Sequence, residues 1–398
     1  MPKVSKKARA LRELDSSLQQ LKPLLHIPKY RAQYDAELAR RTEIESKRYY
    51  DRPATYKKSH LSSSISENID AILHSPEEEF RKSFRMSKQE MEKEIWARFA
   101  GASVFQSTGS RKQAKAEYQL ALLVYRLAQP GFMTTKDIQQ KFGISAGTTN
   151  EWTKRALTAV LEQFRSIVSW PSPQERSFIC SHSLSSSRIP ECVGYLGGIH
   201  MHFHRGGLKP GGPMEYWQES CREGYNFLGV CDDHLRMRMV VAGSTEGRGQ
   251  DKIMQDGLPW LGGSTEEYFD GKQFVMADKG FKCDNTVLPL YDLDPKQQEI
   301  DDPIIQRQRF FNHQAQPLIL NTIQTAWGMI KSRWQYLNAA HILIYADEAE
   351  KARDMVLAAV VLHNLLIDSV EEYVSREEAL KLQVNEKFTE RWSALRSI

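Results

Sequence analysis

Three histidines alternate along CVGYLGGIHMHFH, and a strand over this stretch places His200, His202 and His204 on one face. Imidazoles so arranged suit zinc or copper better than magnesium or manganese, and anchoring a neighbouring loop is the competing use of such a row. Asp232 and Asp233, which follow an apolar run, read as turn residues, and His363–Asn364 at the end of an apolar helical pattern reads as a satisfied buried pair. The five cysteines are odd in number and show no C-x-x-C pairing, which argues against a disulfide framework and against a structural zinc site. Cations gather at the start of the chain. Residues 1–60 hold 15 Lys and Arg against 7 Asp and Glu, a balance of +8 in a chain of net charge +4, with Lys3, Lys6, Lys7 and Arg9 the tightest cluster. A basic arm of this kind contacts nucleic acid, serves nuclear import, or is simply solvated.

These groups need elements to hold them. A length of 398 residues with 41% hydrophobic residues supports a large core, and no apolar run approaches the roughly eighteen residues of a membrane helix. The N-terminus has no apolar secretory region, so a soluble, intracellular and reduced protein is expected. Helix-compatible, charged sequence runs from Ala32 to Tyr49; DRPATYKKSHLSSSIS reads as a linker; a helix is expected over Ser87–Phe99. In EYQLALLVYRLAQPGF, Leu120, Leu123, Val124 and Leu127 recur at helical spacing. Thr134 can cap a helix that Gly143 ends, and Ser145 can cap the next, in which Trp152, Ala156 and Val160 point inward. Two helices around a glycine-containing turn make the helix-turn-helix pattern, which ordinary bundles share. On the helix-turn-helix reading, Thr149, Asn150, Thr153 and Lys154 face a major groove, with Glu151 repelling phosphate nearby. Strand-like segments follow at Cys192–His204, Tyr225–Cys231, Met237–Ala242 and Gln273–Ala277, then helices past Phe310 and over DEAEKARDMVLAAVVLHNLLID. Trp327, Ile330 and Trp334 form a stripe expected to pack on the sheet; Lys331 and Arg333 border it within reach of phosphate or as a solvated edge. The fold class expected is α/β.

The motifs between about Leu120 and Asp368 resemble, in order, those of PIF/Harbinger-type DDE transposases. PECVGYLGGIHMHF is similar to a first core strand of the form C-V-G-x-x-D-G-T-H. YNFLGVCDDHLRMRMVVAGSTEGRGQDKIM resembles the second and third strands followed by G-S-x-H-D, FVMADKGF the A-D-x-G-Y strand, QTAWGMIKSRWQYL the late helix E-x-A-F-G-x-L-K-x-R-W-x-x-L, and LAAVVLHNLL the closing segment. The resemblance implies an RNase H-like mixed sheet flanked by helices, preceded by a helical region with a helix-turn-helix. With the charge and pattern reading of the rest of the chain, the organisation expected is 1–60 basic, partly flexible arm; 61–114 helical or linker region; 115–170 helix-turn-helix domain; 171–370 RNase H-like DDE-type core; 371–398 C-terminal helical tail. It also implies three carboxylates around two divalent cations. Transferred by position they fall on Gly197, Asp278 and Gln324, of which only Asp278 is an acid. A site of formal charge −3 becomes −1, so a pair of dications loses most of its compensation. Asp251, at the aspartate of G-S-x-H-D, is the remaining candidate metal ligand beside Asp278.

The expectation is therefore a transposase-derived nuclear protein without DNA cleavage that binds DNA or chromatin and requires no cofactor. The competing expectation is an active metal-dependent nuclease that uses Mg2+ or Mn2+ on Asp278, Asp251 and a third ligand. Transposases of the resembled family work with a Myb-like DNA-binding partner, so a Myb-like or chromatin protein is an expected partner along with DNA. Membrane is not an expected partner, and the sequence leaves homo-oligomerisation open.

Overall fold

The computed structural model describes residues 6–46, 61–107, 112–130, 135–186, 189–205, 224–242, 258–260, 265–293, 302–338, 342–344 and 349–367. The chain divides into two compact units, Met1–Ser64 and Ile65–Ile398. Lys3, Thr134 and Asp251, and the expected C-terminal tail, lie outside the described residues, as do the side chains of Lys6, His200, His202 and His204.

In the first unit, part of the stretch read as an arm is a hairpin of α1 (Lys6–Leu21) and α2 (Pro28–Ser46). Leu18, Leu21 and Ile44 are buried in it. Arg41 spans the helices, donating to Asp15 at 2.6 Å and to Glu45 at 2.7 Å, and Lys7 Nζ donates to the Glu45 carbonyl at 3.0 Å. Lys7 is thus committed within the hairpin, whereas Arg9 is exposed on α1.

Helix α3 (Leu61–Leu73) runs across the Ser64/Ile65 division, so the serines read as linker are helical, and the second unit continues through α4 (Glu77–Phe84). The helix expected over Ser87–Phe99 is present as α5 (Lys88–Glu90), a π-helical turn (Met91–Trp96) and α6 (Ala97–Phe99), opened by a reciprocal cap between Ser87 and Glu90. At its centre stands α7 (Ala116–Ala128), which is buried almost all round, Gln119 included; the Gln119 amide is accommodated by donating to the Ala114 carbonyl at 3.0 Å. Next come α8 (Thr135–Phe142), α9 (Ala146–Glu162), α10 (Phe164–Ile167) and α11 (Pro173–Ser186), the last beginning on the Pro173 that reads in sequence as a boundary. Gly143 takes φ +68° between α8 and α9, and Ser145 Oγ accepts from Thr148 N at 3.2 Å.

The sheet is built from β1 (Cys192–Arg205), β2 (Gly224–Cys231), β3 (Met237–Ala242), β4 (Phe274–Ala277), β5 (Val287–Pro289) and β6 (Ile342–Ile344). The order is β3-β2-β1-β4-β5, with β6 also on β1. β1, β2 and β3 form an antiparallel meander, while β4 and β6 run parallel to β1. The helices α12 (Pro303–Ile319) and α13 (Thr325–Arg333) are joined without a break by a π-helical turn, Leu320–Gln324; α14 (Ala349–Leu366) closes the unit. This is the expected α/β arrangement, a mixed sheet flanked by helices. One core runs from Phe80 and Leu123 through Trp152 to Trp327 and Val360, crossing both 114/115 and 170/171. A second core lies on the other sheet face around Leu196, Leu228, Val275 and Trp260. Among the described residues, no helix is long and apolar enough to cross a membrane.

Candidate functional site

The sheet has an opening where β4 ends. β1 pairs with β4 as far as Leu196↔Ala277, while β1 itself runs on to Arg205. In open α/β sheets, the crevice beyond the carboxyl ends of strands is where ligands bind. Asp278 is the first residue past β4, and Gly197 follows Leu196 on β1.

The pleat decides which way these residues face. An irregularity at Cys192–Gly194 shifts the alternation of β1 by one residue. Val193 and Leu196 consequently enter one core, and Cys192, Tyr195, Ile199 and Met201 enter the other. Gly197 lies on the Tyr195 side, against the helices. Met276 occupies the same side of β4, the strand that ends one residue before Asp278.

Helical residues cover this side. A Cβ added at Gly197 would meet Ile323 Cγ2 at 3.0 Å, Ile323 Cγ1 at 3.1 Å and Gln324 Nε2 at 3.5 Å. Its cross-strand partner Gly229 faces Trp327, whose Cζ2 would lie 2.8 Å from a Cβ there. Trp327 Nε1 donates to the Gly197 carbonyl at 3.3 Å. Two paired glycines therefore let the helix approach the sheet closely, Ile323 on one and Trp327 on the other.

The helix presents these residues from its π-helical turn. Pro317 inside α12 supplies no N–H, and the Leu320 N–H is shared between the Gln316 and Pro317 carbonyls. Thr325 Oγ1 donates to Leu320 O at 2.9 Å, five residues back. Thr322, Ile323 and Gln324 are all buried. A π turn adds one residue to a helical turn and so rotates the side chains beyond it, here bringing Gln324 toward Gly197.

The structure thus sets Gly197 and Gln324 together, with Asp278 one residue past the end of β4, the strand that pairs with β1. Asp278 is half-buried, and its Oδ1 accepts from the Lys279 N–H at 2.8 Å; Lys279 Nζ lies 3.8 Å from Asp292. This donor set does not fit a pair of hard dications. It offers one carboxylate, one neutral amide, and at 197 no side chain, with the room above it held by Ile323. Among the described residues, no three His, Cys, Asp or Glu side chains gather as metal ligands would.

The helix-pair positions divide. Thr149 and Thr153, expected on the outward side of α9, are buried. Thr149 Oγ1 donates to Ser145 O at 2.9 Å; Thr153 Oγ1 donates to Thr149 O at 2.7 Å and accepts from Arg126 Nη1 at 3.1 Å. The cause is that α9 is enclosed on two sides, by α7 and by α14, so its buried face is wider than the Trp152–Ala156–Val160 stripe. Asn150 and Lys154 are exposed, with Asn150 Oδ1 accepting from Lys351 Nζ at 3.5 Å. Glu151 is bridged to Arg155 at 2.8 Å. Lys331 and Arg333 are buried rather than edging the surface; Arg333 Nη1 donates to Leu366 O at 3.3 Å. Trp327, Ile330 and Trp334 are fully buried, as their stripe predicts.

The turn and helix-end residues behave as expected. Asp232 is buried and accepts from the His234 and Arg236 N–H groups, each at 3.0 Å, and from Arg238 Nε at 2.7 Å. Asn364 Oδ1 accepts from Met237 N at 2.8 Å while Nδ2 donates to Met237 O and Ile167 O at 2.7 and 3.1 Å. His363 shares a 2.9 Å hydrogen bond with Leu235 O, and burial pushes its pKa down to about 4. Burial pushes the Cys180 and Cys192 thiols up to about 11 and about 12, which leaves them un-ionised at neutral pH and poor nucleophiles.

A comparison with known families now bears on this geometry. Residues 214–364 match the DDE superfamily endonucleases. No curated protein and no solved structure matches the chain. The DDE-type match contains Asp278 and Gln324 but begins after β1, so the place of Gly197 rests on the β1–β4 register and on its contact with Ile323 and Gln324. Sequence reasoning missed Ile323, because nothing in a motif shows which neighbour of Gln324 fills the space over a glycine on another strand.

Proposed function

We propose that this chain is a transposase-derived protein that no longer cuts DNA and acts by binding it, in the nucleus, on DNA or chromatin. The observation that supports this most directly is the contact over Gly197. Where a metal-holding carboxylate would stand, glycine leaves room for Ile323 and Gln324, and Asp278 is the one acid of the three positions. The DDE-type match of residues 214–364 supports the transposase origin. Two hard cations a few ångströms apart need several carboxylates to offset their mutual repulsion, and a single Asp278 with Lys279 beside it does not supply them.

The test is cleavage of end-labelled duplex DNA by the full chain with Mg2+ or Mn2+, beside an Asp278→Ala variant, together with binding of the same duplex across a salt series. The expected outcome is no metal-dependent cutting by either protein, with binding that weakens steeply between about 50 and 200 mM salt. Cutting that disappears in Asp278→Ala would overturn the loss of cleavage. Absence of binding at low salt would overturn the DNA-binding part.

A further inference from the structure

Phe310 and Ile304 are 69% and 65% exposed, the most exposed large apolar side chains among the described residues. Both stand on α12, where Arg307, one turn before Phe310, and His313 and Gln314, one turn after it, are also exposed. From Pro303 to Ile319 the helix has two arginines and no carboxylate; of the acids just before it in sequence, Glu299, Asp301 and Asp302, Asp302 is the cap, accepting from Ile304 N at 2.7 Å. Tyr291, 44% exposed, is fastened beside it: Asn312 accepts from Tyr291 N at 2.9 Å and donates to Tyr291 O at 2.8 Å, and the Tyr291 ring meets Phe311 edge-on at 5.6 Å. The Asp292 carboxylate next to Tyr291 has Lys279 Nζ at 3.8 Å.

Exposing a phenylalanine to this degree on an ordered helix lacks a folding benefit, since its ring gains nothing from the core. A second copy of this helix makes a poor cover, because a self-complementary contact would set Arg307 and Arg309 against their own counterparts. An anionic partner with flat apolar faces fits both features at once. We infer that α12 is a binding surface for unpaired nucleotides, with a base stacked on Phe310 and a phosphate held by Arg307, Tyr291 being a second ring along the same path. This rests on the DNA-binding reading and adds the class of DNA it prefers. About fourteen residues of helical rise, roughly 20 Å, separate Phe310 from Gln324.

The experiment is titration of the full chain with a fluorescein-labelled oligo-dT of about 20 nucleotides, longer than one typical site, and with a fluorescein-labelled hairpin duplex, over a salt series. Phe310→Ala is expected to weaken oligo-dT binding roughly 5- to 100-fold without changing the salt slope, and Phe310→Trp to preserve it. Arg307→Ala is expected to lower the oligo-dT slope by about 0.7. Both side chains project into solvent, so circular dichroism should be unchanged. Oligo-dT binding indifferent to Phe310→Ala, or equal displacement by polyglutamate, would overturn the stacking surface while leaving duplex binding to stand. Failure to bind either DNA would remove the DNA-binding reading itself and the surface with it.

Discussion

Replacing Gly197 by alanine adds one methyl group to the centre of β1, and the neighbours of that methyl group decide the outcome. In an open site the change would help, because glycine in a strand interior costs about 0.5–1 kcal/mol relative to alanine. Here the new carbon would stand 3.0 and 3.1 Å from two carbons of Ile323, closer than ordinary contact, and Ile323 is itself fully buried. Overpacking a filled core costs about 1–3 kcal/mol, so the net expectation is destabilisation by about 1–2 kcal/mol. Ile323→Ala removes both contacting carbons and alone costs about 2–5 kcal/mol. The double variant should be better than the sum of the two by about 1–2 kcal/mol, since the methyl group at 197 then occupies vacated space. Thermal unfolding of the four proteins by circular dichroism measures this cycle. Strict additivity, or a stabilising Gly197→Ala, would mean that Ile323 yields freely and that the space over Gly197 is open, and the structural argument against a carboxylate there would fail.

The same contact governs any attempt to rebuild the three acids. Gly197→Asp with Gln324→Glu should remain unable to cut duplex DNA with Mn2+, and cutting by this pair without a change at Ile323 would show that the closure is irrelevant. Stability should depend on pH through His363, whose pKa is about 4 in the folded chain against an ordinary 6.5. Between those values the unfolded chain binds the extra proton, so the contribution is full above about pH 6.5 and is lost as pH falls toward 4, by about 3 kcal/mol at most. His363→Gln should flatten the pH dependence of the unfolding midpoint in that window; an unchanged profile would assign it to other groups. On α9, Lys154→Ala should lower the salt slope of duplex binding by about 1, whereas Thr153→Ala, which removes the Arg126 and Thr149 hydrogen bonds, should lower the unfolding midpoint and leave the slope alone. The reverse pattern would restore Thr153 to the DNA-facing side.

The first four strands were legible because each is an apolar run of more than three residues bounded by turn chemistry. β5 and β6 were not: each has three residues, β5 ends on Pro289 and forms the sheet edge, and a three-residue run has no period to read. Helix α1 was hidden by its charge, which favours reading a solvated arm, although Leu11, Leu14, Leu18 and Leu21 keep a helical spacing. Thr149 and Thr153 were misplaced for a different reason. A stripe of apolar residues locates one buried face, but a second helix arriving from α14, some two hundred residues later in the chain, can bury polar residues that hydrogen-bond back to their own helix. The site positions Gly197, Asp278 and Gln324 came from motif order, and the structure brings Gln324 up to Gly197 and leaves Asp278 at the end of the neighbouring strand β4. Their occupant, Ile323, depends on a π-helical turn and on the distance between helix and sheet, neither of which is written in local sequence.

That distance links the chemistry to the packing. A metal centre built from carboxylates holds a helix away from its sheet, because the charged groups and their ions need volume and polar surroundings that apolar side chains cannot provide. With glycine at 197 and glutamine at 324, the reason for the separation is gone, and the hydrophobic effect favours bringing Ile323 and Trp327 down onto the paired glycines 197 and 229. On the proposed reading, then, neutral residues at two positions both weaken metal binding and favour a closed, dry interface at the same place. On that same reading, closure of this kind accounts for a core pattern that stays intact around a site proposed to have stopped cutting: the residues around it are held by their packing rather than by a metal.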